Sequence, residues 1–197
     1  MLNRGRFGRS VLSVTAADVN KRSNFFYLYT PNAIIMTDLL KLVRYQQWAN
    51  KKTAEPLKTI PADVADRELG GSFPTLRLTV LHMLQADYRW LHRLKGSPIV
   101  EIPAGWQNGK IDSLISLWLD VQDQLVARVR ELAPQGNPMI KFTTAKGDTF
   151  QLPLEEVITH VVNHSTYHRG QLVNMLRMTG AAPESTDYFL FVVASPK

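Results

Sequence analysis

The sequence PLEEVITHVVNHSTYHRGQLVNMLR, from Pro153 to Arg177, contains three histidines at four-residue intervals: His160, His164 and His168. No proline or glycine interrupts this spacing. At about 3.6 residues per turn, the three imidazoles fall on roughly one face of a helix. The stretch therefore predicts one long helix that carries a histidine face, with Gly180 suited to end it.

The spacing of these histidines limits how they could bind a metal ion. Two histidines one turn apart, separated by about 6 Å of axial rise, can ligate the same ion, whereas the outer pair, about 12 Å apart, cannot. The residues alone leave two alternatives: His160 with His164, or His164 with His168. Either pair needs a third ligand from elsewhere in the chain. Without a metal, the histidines would be core residues that need hydrogen-bond partners.

Composition excludes several classes of site and partner. The 197 residues contain no cysteine, so disulfides, thiolate metal sites and a cysteine nucleophile are excluded. The formal charge of +6 is concentrated in residues 1–35, which hold five basic residues and one acidic residue. The nearly neutral remainder argues against nucleic-acid binding. No apolar run approaches the ~18 residues of a membrane span, and we expect a soluble, cytoplasmic protein without a membrane partner.

Two segments are expected from the change in composition near Met36. Residues 1–35 are basic and lack a strong helical pattern, which indicates a poorly ordered N-terminal extension; a targeting segment is the alternative. Residues 36–197 are expected to form the folded domain. Its first helix is predicted from Met36 to about Pro56, with Thr37 as the N-cap.

The rest of the chain predicts an all-α fold, a four-helix bundle. Apolar stripes indicate a second helix from Thr75, its N-cap, to Leu94, and a third from Asp112, also an N-cap, to Leu132. Lys141–Leu152 favours a small hairpin or another extended excursion before the histidine helix. Tyr188–Val193 is expected to close the bundle as a short helix or strand. Bundles build metal sites from facing helices, which makes His82 the natural third ligand, whereas His92 is expected at the surface.

Several motifs together resemble one family. They are RYQQWAN (Arg44–Asn50), LHMLQADYRWLHRLKG (Leu81–Gly96), HVVNHSTYHRGQLVNMLRMTG (His160–Gly180) and the closing TDYFLF. From Met36 onward the chain is similar to the DinB/YfiT-like putative metalloenzymes, the damage-inducible family of four-helix bundles that is distinct from the DNA polymerase of that name. The resemblance implies a divalent ion held by His82, His164 and His168. It leaves His160 beside the site, with Asn163 and Gln171 expected to orient ligands.

The resemblance also implies a class of activity. We expect a metal-dependent enzyme, a thiol S-transferase that activates a low-molecular-weight thiol, or a hydrolase that activates water, with zinc or nickel as the ion. The partner is a small-molecule substrate, and a homodimer is expected. Asp87 and Asp187 are the candidate carboxylates for a general base, and neither is convincing from the sequence. The alternative is a metal-binding stress-response protein without turnover.

Overall fold

The computed structural model describes residues 31–144 and 146–194. Its elements, in chain order, are helices α1 (Pro31–Leu57), α2 (Ala62–Ala65), α3 (Leu76–Leu94) and α4 (Ile111–Leu132), strands β1 (Met139–Thr143) and β2 (Thr149–Pro153), and helices α5 (Leu154–Met178) and α6 (Tyr188–Ala194). Most of the predicted N-terminal extension, residues 1–30, lies outside the described residues. The division at residue 36 stays a prediction.

The first helix begins earlier than its sequence pattern indicates. Its described part runs from Pro31, so Thr37 lies inside the helix and the prediction of Thr37 as the N-cap was wrong. The five residues before Met36 therefore continue the helix upstream.

The starts of α3 and α4 differ in how well the sequence predicts them. Thr75 caps α3 as expected, since its Oγ1 accepts a hydrogen bond of 3.1 Å from the backbone N–H of Leu78. Asp112 does not cap α4, because the helix begins at Ile111 and Asp112 lies within its first turn. A negative charge in the first turn still favours the helix through its dipole, which explains the misleading signal.

The four long helices form a closed bundle. α1 packs against α4 and α5, and α3 packs against the same two helices, so that each long helix has two long neighbours. The core between them is apolar, and its largest fully buried side chains include Trp118, Leu84, Leu125 and Ile158. The all-α four-helix bundle predicted from the apolar stripes is confirmed. Helix α3 and helix α5 lie side by side, which places the two histidine-bearing faces together.

The excursion before α5 is an antiparallel hairpin. Strands β1 and β2 pair in register from Met139 opposite Pro153 to Thr143 opposite Thr149. The backbone N–H of Thr143 donates a hydrogen bond of 2.9 Å to the carbonyl of Pro98, in the connection between α3 and α4. The hairpin is thereby attached beside the C-terminal end of α3.

The closing segment is a short helix. Phe191 of α6 is buried and its ring lies 5.8 Å from that of Tyr45 and 5.7 Å from that of Trp48, both on α1. The hydroxyl of Tyr45 also donates a hydrogen bond of 3.1 Å to the carbonyl of Thr186, just before α6. Among the described residues, no helix has the length and apolarity to cross a membrane.

Candidate metal centre

Three histidines converge between α3 and α5. Nε2 of His82 lies 3.3 Å from Nε2 of His164 and 3.1 Å from Nε2 of His168. One ring nitrogen from each of the three residues lies within 4.8 Å of the others. His168 is buried at 6% exposure, and the other two are half-buried. The structure thus brings together the three residues that the family resemblance implied as ligands.

The opposite directions of the two helices explain this set. His82 on α3 faces His164 and His168 on α5, whereas Trp90, two turns later on α3, packs edge-on against His160, earlier on α5, with ring centroids 5.1 Å apart. The two helices are therefore antiparallel. His82 therefore lies beside the second pair of the histidine face, and the structure brings it together with His164 and His168 rather than with His160.

A hydrogen bond fixes the orientation of the most buried histidine. Nδ1 of His168 lies 2.8 Å from Oε1 of Gln171, one turn further along α5. A carbonyl oxygen only accepts, so Nδ1 carries the proton and Nε2 presents a lone pair to the other histidines. Metal-binding histidines generally have such a partner on their second nitrogen.

The other two residues predicted around the ligands occupy different positions. The ring of His160 lies 5.9 Å from that of His164 but outside the converging group. Asn163 is exposed, and within residues 31–144 and 146–194 it makes no hydrogen bond to the histidines. The structure supplies no contact through which Asn163 would orient a ligand.

The electrostatics of the site favour neutral imidazoles. Burial above all, and then the nearby His168, His164 and Arg89, lower the pKa of His82 to about 4. Burial, followed by the neighbouring His168 and His160, likewise lowers the pKa of His164 to about 4. Both rings are therefore neutral at pH 7, the protonation state that a metal ligand requires.

The donor set fits one divalent transition-metal ion. Nitrogen ligands about 2.0–2.1 Å from a tetrahedral ion lie about 3.3 Å from each other, close to the two Nε2 distances from His82. Bare Nε2 lone pairs repel one another at this distance unless a cation or a proton lies between them. The three imidazoles are thus arranged as ligands of one ion, and three protein ligands leave a position for water or substrate.

Comparison with known proteins agrees with this geometry. The model of the DinB family matches residues 35–196. The chain belongs to the DinB family. It is 27% identical over 159 residues to Protein DinB of Bacillus subtilis strain 168, which covers 77% of this chain and 92% of that protein. The fold is similar to that of YfiT from Bacillus subtilis, with a TM-score of 0.56, 17% identity, and coverage of 72% of this chain and 87% of that one. YfiT is described as a probable metal-dependent hydrolase with an unusual four-helix bundle topology.

Neither carboxylate predicted as a candidate general base lies in the histidine cluster. Asp87 is buried at 3% exposure and accepts hydrogen bonds from Trp118, Gln122 and Gln46, at 2.9, 2.6 and 3.3 Å. Burial raises the pKa of Asp87 to about 7, against the opposing effect of these hydrogen bonds. Asp87 therefore belongs to a polar network between α1, α3 and α4.

Asp187 also lies outside the histidine cluster. It is exposed, and its backbone carbonyl accepts a hydrogen bond of 3.0 Å from the N–H of Leu190 in α6. Within the described part of the chain, no Asp or Glu joins the histidine cluster. The cluster consists of imidazole nitrogen donors.

Two aromatic side chains beside the histidines were missed by the sequence analysis. Phe73 stacks on His82 with ring centroids 4.0 Å apart and planes 20° apart, and it meets His168 edge-on at 5.7 Å. Tyr167, at 62% exposure, packs edge-on against His168 at 4.9 Å. The available signal for Phe73 was its place in a glycine-rich break: Gly71 has a φ of +89°, which lets the loop turn back over α3.

Proposed function

We propose that this DinB family protein is a metal-dependent transferase that joins a low-molecular-weight thiol to a small electrophile. The observation that carries the proposal is the convergence of three Nε2 atoms, with His168 oriented by Gln171. His82, His164 and His168 would hold the ion. The description of YfiT as a probable metal-dependent hydrolase supports metal dependence in a protein of similar fold.

Zinc or nickel is the ion that we propose. Three imidazole nitrogens suit late divalent transition metals, whereas magnesium and calcium prefer oxygen ligands, which the described part of the cluster lacks. When bound, such an ion acts as a Lewis acid that lowers the pKa of a thiol or water at its remaining position. The chain itself contributes the ligands and their orientation.

The absence of a nearby carboxylate favours a thiol over water as the nucleophile. A free thiol has a pKa of about 8.5 and water one of about 15.7, so a thiol needs far less help to lose its proton. Within residues 31–144 and 146–194, the cluster contains no Asp or Glu to accept a proton from water. Hydrolysis, with water in place of the thiol, remains the nearest alternative reaction at the same site.

Phe73 and Tyr167 give the site its apolar character. Phe73 covers one face of the His82 ring, and the exposed ring of Tyr167 stands at the rim beside His168. Aromatic faces of this kind pack against apolar parts of a substrate and exclude water. This supports a small electrophile with an apolar body as the second reactant.

A second candidate is a metal-binding stress-response protein without turnover. The described histidine cluster contains no carboxylate base, which also favours this candidate, because the histidines would then bind the ion and stabilise the fold without catalysing a reaction.

The homodimer expected from the sequence also stays a prediction, and the native mass of the purified protein would test it.

Thiol consumption separates the two candidates. Zinc-loaded and nickel-loaded protein would be incubated with a panel of thiols and alkylating electrophiles, beside metal-stripped protein and the His164→Ala variant. The transferase account predicts loss of free thiol with the loaded wild type alone. Metal-dependent thermal stabilisation with no thiol consumption across the panel would instead identify the protein without turnover.

A further inference from the structure

The histidine-bearing face of α3 continues into two arginines. Arg89 and Arg93 lie seven and eleven residues after His82, which at about 100° per residue returns both to the same side of the helix as His82. At 1.5 Å of rise per residue, Arg89 lies about 10 Å along the helix axis from His82, and Arg93 about 16 Å. The face of α3 that carries His82 thus has a histidine towards one end and guanidinium groups towards the other.

Arg93 is held rigidly by its surroundings. Its guanidinium carbon lies 4.6 Å from the ring centroid of Trp90 and 4.9 Å from that of Phe142. One terminal nitrogen, Nη2, donates a hydrogen bond of 3.2 Å to the backbone carbonyl of Thr143 in the hairpin. Trp90 in turn packs against His160, so Arg93 is connected through Trp90 to the histidine face of α5. A guanidinium fixed in this way is pre-organised to bind a planar anion.

Neither arginine is neutralised by a carboxylate. The ion pairs in the part of the chain that the structure describes include those of Arg77 with Asp66 and of Arg128 with Glu131, but none of Arg89 or Arg93. The two positive charges also act on each other: after burial, the charge of Arg89 is the next cause that lowers the pKa of Arg93. Two like charges held close together without an anion leave a site of positive potential.

Unmet hydrogen bonds occur beside Arg93. Nε of Arg93 and Oγ1 of Thr144, the residue after the one that Arg93 contacts, are buried and have no hydrogen-bond partner among the described residues. Buried polar atoms are normally paired, and such exceptions require an explanation. A ligand bound beside Arg93 would supply a missing partner.

We infer that Arg89 and Arg93 form an anion-binding subsite that holds a carboxylate, or a similar anionic group, of a reactant whose reacting atom lies at the histidines. This inference rests on the proposed function for the identity of the reacting end and names the substrate class: an elongated small molecule with its anionic group about 10 Å from the metal ligands. The bidentate fork of arginine matches a carboxylate, and charge-assisted hydrogen bonds of this type are the stronger ones.

The test compares a ligand that has free carboxylates with its neutral ester. S-methylglutathione and its diethyl ester would be titrated calorimetrically into zinc-loaded full-length protein, in the wild type and in Arg89→Gln, Arg93→Lys and the Arg89→Gln/Arg93→Gln double variant. Arg130→Gln is the matched control, because Arg130 is exposed on α4 and its loss removes the same charge. Equal zinc content in all five proteins would show that the variants keep the fold and the histidine site.

We expect the wild type and Arg130→Gln to bind the acid at least about tenfold more tightly than the ester, the size of a charge-assisted hydrogen bond. Arg89→Gln should reduce this preference, the double variant should abolish it, and Arg93→Lys should retain part of it. Equal affinities for acid and ester in the wild type, or a preference that survives in the double variant, would overturn the inference.

Failure of the proposed function would have a different signature. With cobalt-loaded protein, glutathione should produce a new sulfur-to-cobalt absorption band if the site accepts a thiol, and S-methylglutathione should not. An acid preference without this band would refute the thiol chemistry and leave the anion subsite standing. The band without an acid preference would refute the subsite alone.

Discussion

Oε1 of Gln171 accepts a hydrogen bond of 2.8 Å from Nδ1 of His168, and this contact sets which nitrogen of the buried ring faces His82. Both residues lie on α5, three positions apart, so the helix itself supplies the geometry. Gln171 therefore orients His168 without itself being a proposed metal ligand, and it can be replaced while all three histidines stay in place.

Replacing Gln171 with alanine should weaken metal binding. The His168 ring would lose the partner that fixes its tautomer, and the loss of such partners typically reduces metal affinity about 10–100-fold. Competition with a chromophoric zinc chelator would measure the change. Asn174→Ala, an exposed amide on the same helix, is the control and should bind zinc like the wild type. Equal affinity in both variants would show that Gln171 does not support the site.

Arg169 should be important for stability through a buried network. Its guanidinium donates to Asn50 and Ser165 at 3.1 and 3.2 Å and to the hydroxyl of Tyr45 at 3.1 Å. Arg169→Met would remove these three hydrogen bonds from their buried partners, and we expect a loss of about 3 kcal/mol in the free energy of unfolding. Urea unfolding would measure it. Arg177→Met, an exposed position on the same helix, should change stability by less than about 0.5 kcal/mol. Similar small losses in both variants would contradict this account.

The buried carboxyl of Asp87 should make stability depend on pH. Burial raises its pKa in the folded protein from 3.8 to about 7, so between these values the folded state binds more protons than the unfolded state. The stability that this proton uptake contributes is present below about pH 4 and is lost as pH rises through 7.

The free energy of unfolding of the wild type should therefore fall relative to Asp87→Asn by a few kcal/mol between pH 4 and pH 7, with no further change above about pH 8. Asparagine changes the hydrogen bonds to Gln46 and Gln122 as well, but that offset is the same at every pH. Urea unfolding of both proteins across this range gives the difference. A flat difference would mean that Asp87 is already ionised at acidic pH.

What the sequence predicted depended on local periodicity and local chemistry. The four-residue spacing of the histidines predicted α5, and Thr75 was recognisable as a cap because its side chain bonds within its own turn. The start of α1 was missed, since the helix already includes residues 31–35, where no apolar pattern is clear. Asp112 was misread because a first-turn acid and an N-cap acid look alike in sequence.

The features that the sequence did not predict depend on the path of loops and on pairs far apart in the chain. Phe73 covers His82 because the loop before α3 turns back, which two glycines with positive φ permit. The partners of Asp87 come from α1 and α4, 41 and 31–35 residues away. The set of histidines was left open by their spacing, and the antiparallel packing of α3 against α5 selects among the alternatives.

The metal content of protein purified without an affinity tag tests the central claim most directly. Wild type would be measured beside His82→Ala, His164→Ala and His168→Ala, with His160→Ala as the control from the same face of α5. We predict about one zinc or nickel ion per chain in the wild type and in His160→Ala, and its loss in each of the other three. Metal-free wild type that also fails to bind zinc and nickel on titration would contradict the account, and so would a site that His160→Ala destroys while His168→Ala leaves it intact.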